Sequence, residues 1–216
     1  MPYRRDIFRE GEVYHIFSKS IAGFKIFRNK KEYSRMVELL KFYRKKESEK
    51  RRFSQAIHKE EKTYQNNKDN NIVKIIAYCL MPTHFHLILT SEDEGVISYF
   101  MKKVLGSYAK YFNLKIKRKG PLWESRFKSV KVETDEQLLH LTRYIHLNPV
   151  TGGLVERPEE WLFSSYREYL NMVKEEEKIC EYSDFLDVSP SSYKDFVESR
   201  IEYQKELALI KKLLIE

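Results

Sequence analysis

Two apolar strand segments, residues 72–78 and 83–90, are separated by a short link that contains Leu80-Met-Pro82. A linker that short cannot hold a crossover helix, so the two strands have to run antiparallel. Pro82 has no N–H to give to a ladder and belongs to the turn. In the second strand Phe85, Leu87 and Leu89 alternate with His84, His86 and Ile88. Side chains two apart on a strand share a face. The Phe85 face is therefore expected to pack on helices, and the histidine face to line a cleft.

Further elements frame this hairpin. Val13-Tyr-His-Ile-Phe-Ser-Lys19 is rich in β-branched and aromatic residues and reads as a first strand. Residues 31–44 place Tyr33, Met36, Val37, Leu40 and Tyr43 at helical spacing, and residues 96–112 do the same with Val96, Phe100, Val104, Tyr108 and Tyr111. Residues 45–71 are charged and polar and read as an insertion or a continuation of the preceding helix. A basic loop, residues 114–123, leads to a strand at 126–133. Asp135 is the expected cap of a helix that Pro149 and Gly152-Gly153 end. Beyond Trp161 the pattern is mostly helical, closing with an apolar-basic helix at 207–215. This order predicts an α+β fold, an antiparallel sheet with helices on one face. The organisation is one unit over residues 1–170 and a helical C-terminal extension over 171–216.

The 216 residues are enough to bury a substantial core. Forty Lys and Arg against 32 Asp and Glu leave a formal charge of +8, which favours a polyanionic partner such as nucleic acid. Lys115, Lys117, Arg118 and Lys119 crowd the basic loop, and Arg126 and Lys128 follow it, so these six are the candidate DNA contacts. Fifteen tyrosines add surfaces on which bases could stack. Cys79 sits in an apolar run and reads as a small hydrophobe; with Cys180 far away there is no disulfide framework or zinc ribbon. The first residues lack an apolar targeting core, and no stretch approaches a membrane span. The expectation is a cytoplasmic chain with no membrane partner, monomer and homodimer both remaining open.

The chemistry lies in two short patterns. His84 and His86 share a strand face, and Tyr144 and Asn148, four apart on a helix, share a helix face. Together they offer two imidazoles, an amide oxygen and a phenol. With no thiolate, such a donor set suits Mg2+ or Mn2+ with open positions better than structural zinc. A metal there would polarise a phosphodiester, and Tyr144 would be the nucleophile. His140, one turn before Tyr144, is either solvent-facing or placed to tune the phenol or touch the metal. His146 reads as structural, and His15 as packed or buried beside the site. Trp123 reads as a core anchor, with base stacking as the minority alternative.

Met81-Pro-Thr-His-Phe-His-Leu87 resembles the His-hydrophobic-His motif of the HUH endonucleases. With Gly120-Pro-Leu-Trp-Glu-Ser-Arg-Phe127, Arg143-Tyr-Ile-His-Leu-Asn-Pro-Val150 and Trp161-Leu-Phe-Ser-Ser-Tyr166, the ordered set is similar to the single-tyrosine HUH transposases, in the REP-associated tyrosine transposase branch. The likeness runs over residues 14–169. It implies a ferredoxin-like HUH fold, a divalent metal on His84, His86 and Asn148, and attack by Tyr144 on single-stranded DNA. The implied products are a 5′-phosphotyrosine link and a free 3′-OH, on hairpins flanked by short guide sequences in a bacterial cytoplasm. Ser18-Lys-Ser-Ile-Ala-Gly23 departs from the Gly-Asn-rich turn common in that family.

Two other readings stand beside it. A non-catalytic, domesticated nucleic-acid-binding module of ferredoxin-like fold would need neither the histidines nor Tyr144. A zinc hydrolase would need a carboxylate or thiolate ligand at useful spacing, and none is present.

Overall fold

A computed structural model describes residues 8–49, 53 and 70–213. Its frame is a four-stranded antiparallel sheet in the order β2-β3-β1-β4, built from β1 (Val13–Lys19), β2 (Lys74–Met81), β3 (His84–Thr90) and β4 (Lys128–Val132). Helix α1 (Lys30–Tyr43) joins β1 to β2, and α2 (Val96–Lys115) joins β3 to β4. This is the ferredoxin-like arrangement. Helix α3 (Asp135–Thr151) follows β4, and then come α4 (Tyr166–Tyr169), α5 (Pro190–Glu198) and α6 (Ile201–Leu213).

The hairpin is tighter than its sequence suggests. β2 continues through Leu80 and Met81, and Met81 pairs with His84, so only Pro82 and Thr83 turn. Leu80 is fully buried and its N–H donates to Phe163 O at 2.9 Å, which keeps that end of the strand extended. Pro82 stays out of the ladder, and its carbonyl accepts from Ile26 N and Phe27 N instead.

Helices cover both faces of the sheet, not one. Phe85, Leu87 and Leu89 pack with Tyr14, Ile16 and the buried sides of α1 and α2. The opposite face carries Ile76, Ala77, Cys79, Met81 and Ile88, which pack with Leu138, Ile145 and Leu147 of α3 and with Tyr193 and Val197 of α5. A second apolar face cannot be left in water, so α3 lies across it. That placement brings the tyrosine helix to the histidine side.

Several boundaries shift for local reasons. Thr134, not Asp135, caps α3: its Oγ1 accepts from Gln137 N at 3.1 Å, while Asp135 and Glu136 occupy the first turn, where a negative charge suits the helix dipole. Pro149 stands inside that helix, which Gly152 ends. α2 runs on to Lys115, and β4 begins at Lys128, which leaves Arg126 in the preceding loop. The expected polar segment at 45–71 lies largely outside the described residues; its two ends meet through a bridge between Lys45 and Asn71.

Residues 170–189 are less helical than expected. Ile179 N and Cys180 N donate to the buried Glu168 carboxylate at 2.9 and 2.8 Å, and Glu181 N donates to Ile75 O at 2.8 Å, so the chain runs along the edge of β2. Cys180 thereby enters one core and Leu186 the other. Cys79 is buried and packs as a small apolar residue. No helix among the described residues is long and apolar enough to cross a membrane.

Candidate active site

The register of β1 against β3 builds the floor of the site. Phe17 pairs with His86, Lys19 with His84 and His15 with Ile88. Alternation puts Tyr14 and Ile16 into the α1–α2 core and leaves His15, Phe17 and Lys19 on the same face as the two β3 histidines. α3 forms the wall. The result is a cleft of about 660 Å3 lined by His15, Phe17, Lys19, His84, His86, Glu124, Tyr144 and Asn148, with the Ala22–Gly23 turn at its rim.

Each imidazole has one ring nitrogen accounted for. His84 Nδ1 lies 3.0 Å from Thr83 Oγ1, and His86 Nδ1 lies 3.0 Å from His15 Nε2. The Nε2 atoms of His84 and His86 have no part in these contacts, and each offers a lone pair in the tautomer that carries its hydrogen on Nδ1. Burial lowers the His84 pKa to about 4, helped by the positive charge of Lys19. Burial lowers that of His86 to about 3, with smaller contributions from His15, His84 and Lys19. Both rings are therefore neutral near pH 7, the form that ligates metal.

Tyr144 is 47% exposed, so its hydroxyl is within reach of a bound substrate. Its ring meets His86 edge to face at 5.7 Å between centroids. One turn on, Asn148 donates from Nδ2 to Tyr144 O at 2.8 Å, which leaves Oδ1 as the end that could take a metal. The donor set of two imidazole nitrogens and an amide oxygen fits Mg2+ or Mn2+. Among the described residues no group of three or more His, Cys, Asp or Glu side chains is arranged to hold a metal, so a bound ion would need the amide.

The other candidates separate. His140 turns to Arg143, with Nδ1 2.7 Å from Nη2, and to Phe196, and it does not line the cleft. His146 is fully buried between Tyr193 OH and Ser165 Oγ, each at 2.7 Å, a structural role. Trp123 is a core anchor: its Nε1 donates to Leu105 O at 3.1 Å and its ring packs on Phe85 and Tyr108.

None of the six basic candidates lines the cleft. Lys115 belongs to the last turn of α2 and binds the buried Glu32 carboxylate at 3.0 Å. Arg118 folds back on its own loop, donating to Pro121 O at 2.6 Å and Asn113 Oδ1 at 3.1 Å. Lys117, Lys119, Arg126 and Lys128 are exposed.

Phe17, Lys19 and Glu124 are cleft residues that the sequence reading did not single out, and His15 it left undecided. The signal was available for three of them: in Val13–Lys19 the residues His15, Phe17 and Lys19 alternate with Tyr14 and Ile16. What was missing is that β1 pairs directly with the histidine strand.

A family model described as "Transposase IS200 like" matches residues 28–148, more than half of the chain and a span that contains His84, His86, Tyr144 and Asn148. The chain belongs to the IS200-like transposase family. Within that setting it is 27% identical over 113 residues to a Haemophilus influenzae protein assigned to the REP-associated tyrosine transposases, covering 48% of this chain and 64% of the relative. It is 27% identical over 94 residues to the REP-associated tyrosine transposase of Escherichia coli, covering 43% of this chain and 54% of the relative. The matches thus span less than two thirds of either relative. Among solved structures, a REP-associated tyrosine transposase bound to a REP hairpin shares the fold, with a TM-score of 0.53 and 17% identity over 88% of this chain and 96% of that one. The family resemblance carried by the motifs is borne out.

Proposed function

We propose that this IS200-like chain is a metal-dependent endonuclease and strand transferase for single-stranded DNA, with Tyr144 as its nucleophile. The observation that carries the reading is the convergence of His84, His86, Tyr144 and Asn148, from a strand and a distant helix, on one open cleft. The Tyr144 oxygen forms a bond to the phosphorus of a phosphodiester and gives up its proton. The bond from that phosphorus to the 3′ oxygen breaks, and the leaving oxygen takes a proton. The products are a free 3′-OH and a 5′ phosphate esterified to tyrosine, so attack by a second 3′-OH reverses the step and joins strands.

His84, His86 and Asn148 would hold Mg2+ or Mn2+. Bound there, the ion supplies Lewis-acid polarisation of a non-bridging phosphate oxygen. Lys19 adds a positive charge at the same cleft. Placing Tyr144 and Asn148 one turn apart on one helix puts the attacking oxygen and the amide on the same face.

For the partner, the fold shared with a hairpin-bound transposase and the charge of +8 favour hairpin DNA with an unpaired flank. Lys117, Lys119, Arg126 and Lys128 are the side chains free to meet duplex phosphates. The bacterial cytoplasm is the setting this activity implies. The test is incubation of flanked hairpin oligonucleotides with the protein and Mn2+. Cleavage within the single-stranded flank that stops on addition of EDTA is expected. Cleavage that persists in EDTA would remove the metal from the account, and no cleavage of any flanked hairpin would favour a binding module.

A further inference from the structure

Packing alone does not explain a third, partly buried imidazole beside the site. His15 lies on the central strand β1, its face shared with Ile88 and Phe17, where a branched aliphatic side chain would pack without a polar group to satisfy. Instead its Nε2 meets His86 Nδ1 at 3.0 Å, the rings 17° from parallel and 5.2 Å apart. Phe17 packs beside both rings, 5.0 Å from His15 and 6.0 Å from His86.

A contact of that length between two ring nitrogens holds one proton. With the proton on His86 Nδ1, His86 Nε2 is a bare lone pair and can ligate. With the proton on His15, neutral His86 carries its hydrogen on Nε2 and cannot. The hydrogen bond therefore bears directly on whether His86 is a ligand at all. Metal-binding histidines in general donate their second ring N–H to an outer acceptor that fixes tautomer and orientation. His84 has a local one, Thr83, next to it in the chain. His86 has no such neighbour in sequence, and the nitrogen that meets its Nδ1 comes from the adjacent strand.

We propose that His15 is a positioning residue: as a hydrogen-bond acceptor it holds His86 in the Nδ1–H tautomer, ring fixed, with Nε2 presented to the metal position. The inference rests on the metal reading of the cleft, and it adds a requirement for a residue that touches neither metal nor DNA.

Three variants separate an acceptor from a spacer. His15→Phe keeps an aromatic ring and removes the acceptor; His15→Gln and His15→Glu restore one. Mn2+ binding to the DNA-free protein is measured by calorimetry. In parallel, 15N shifts of the His86 ring, assigned by loss of its signals in His86→Ala, report the tautomer in metal-free protein. The expected result is Mn2+ affinity roughly 10- to 100-fold weaker in His15→Phe, recovered in His15→Gln or His15→Glu. Wild-type His86 should carry its hydrogen on Nδ1, and His15→Phe should lose that preference. Unchanged affinity in a folded His15→Phe, with wild-type Mn2+ binding that depends on His84, overturns the role of His15 and leaves the metal reading intact. If wild type binds no Mn2+ at the cleft, the metal reading fails, and the 15N shifts still decide: hydrogen on Nε2 of His86 in wild type overturns the proposal, and hydrogen on Nδ1 that His15→Phe abolishes upholds the orienting contact. Should His15→Phe fail to fold, the His15→Gln and His15→Glu proteins carry the same measurement, and loss of both affinity and tautomer in folded forms of each overturns it.

Discussion

The buried His146 makes the stability of the tyrosine helix dependent on acid in a calculable way. It sits two residues from Tyr144, fully buried, its ring nitrogens satisfied by Tyr193 and Ser165. Burial lowers its pKa from 6.5 to about 3. The folded pKa is below the unfolded one, so between those values the unfolded chain binds the extra proton. Stability is therefore lost as pH falls through 6.5 and goes on falling toward about 3. Each unit in that window costs a little over 1 kcal/mol, so moving from about pH 7.5 to about pH 4.5 removes about 3 kcal/mol through this one group. His146→Gln retains an amide that reaches toward Ser165 and has nothing to titrate. Urea unfolding of both proteins at the two pH values cancels the contributions of all other groups. Wild type should lose about 3 kcal/mol more than the variant on acidification. An equal loss in both would show that His146 is protonated or water-accessible in the folded state, and the closed packing of α3 against α5 would be refuted.

Three further outcomes follow from the site. Tyr144→Phe removes only a half-exposed hydroxyl, so unfolding should be unchanged within about 0.5 kcal/mol while strand cleavage disappears; residual cleavage at wild-type rate would point to another nucleophile. His84→Ala should abolish Mn2+-dependent cleavage yet keep most hairpin affinity in low salt, because phosphate contacts dominate binding, and a parallel loss of both in a filter-binding assay would contradict that separation. Lys117→Gln with Lys119→Gln should lower the slope of log affinity against log salt by on the order of 2, while Lys115→Gln changes it less because Lys115 is held by Glu32; the reverse order would return Lys115 to the DNA surface.

The parts of this molecule visible in its sequence are those set by short-range geometry. The short link at Leu80-Met-Pro82 and the alternation of Phe85 with His84 and His86 were sufficient for an antiparallel hairpin with a histidine face. The spacing of Tyr144 and Asn148 was sufficient for one helix face, and the ordered motifs for the family. What escaped depends on contacts between residues far apart in the chain. The register of β1 with β3 brings His15 to His86, and no local pattern encodes it. The ion pair of Lys115 escaped because Glu32 is on another helix, 83 residues away. Arg118 looked free because backbone carbonyls, which accept it, have no sequence signature. The cover on the second sheet face was missed because Ile76, Ala77 and Cys79 sit in a continuous apolar run, where alternation gives no sign that both faces are dry.

The most direct test of the central claim is to locate the covalent bond. The protein is incubated with Mn2+ and a hairpin carrying a single-stranded flank, denatured, digested with nuclease and protease, and analysed by tandem mass spectrometry. The account predicts a nucleotide attached through a 5′ phosphate to the oxygen of Tyr144, in the peptide that also contains Asn148. An adduct on any other residue, or cleaved DNA with no protein adduct at any time point, would contradict it.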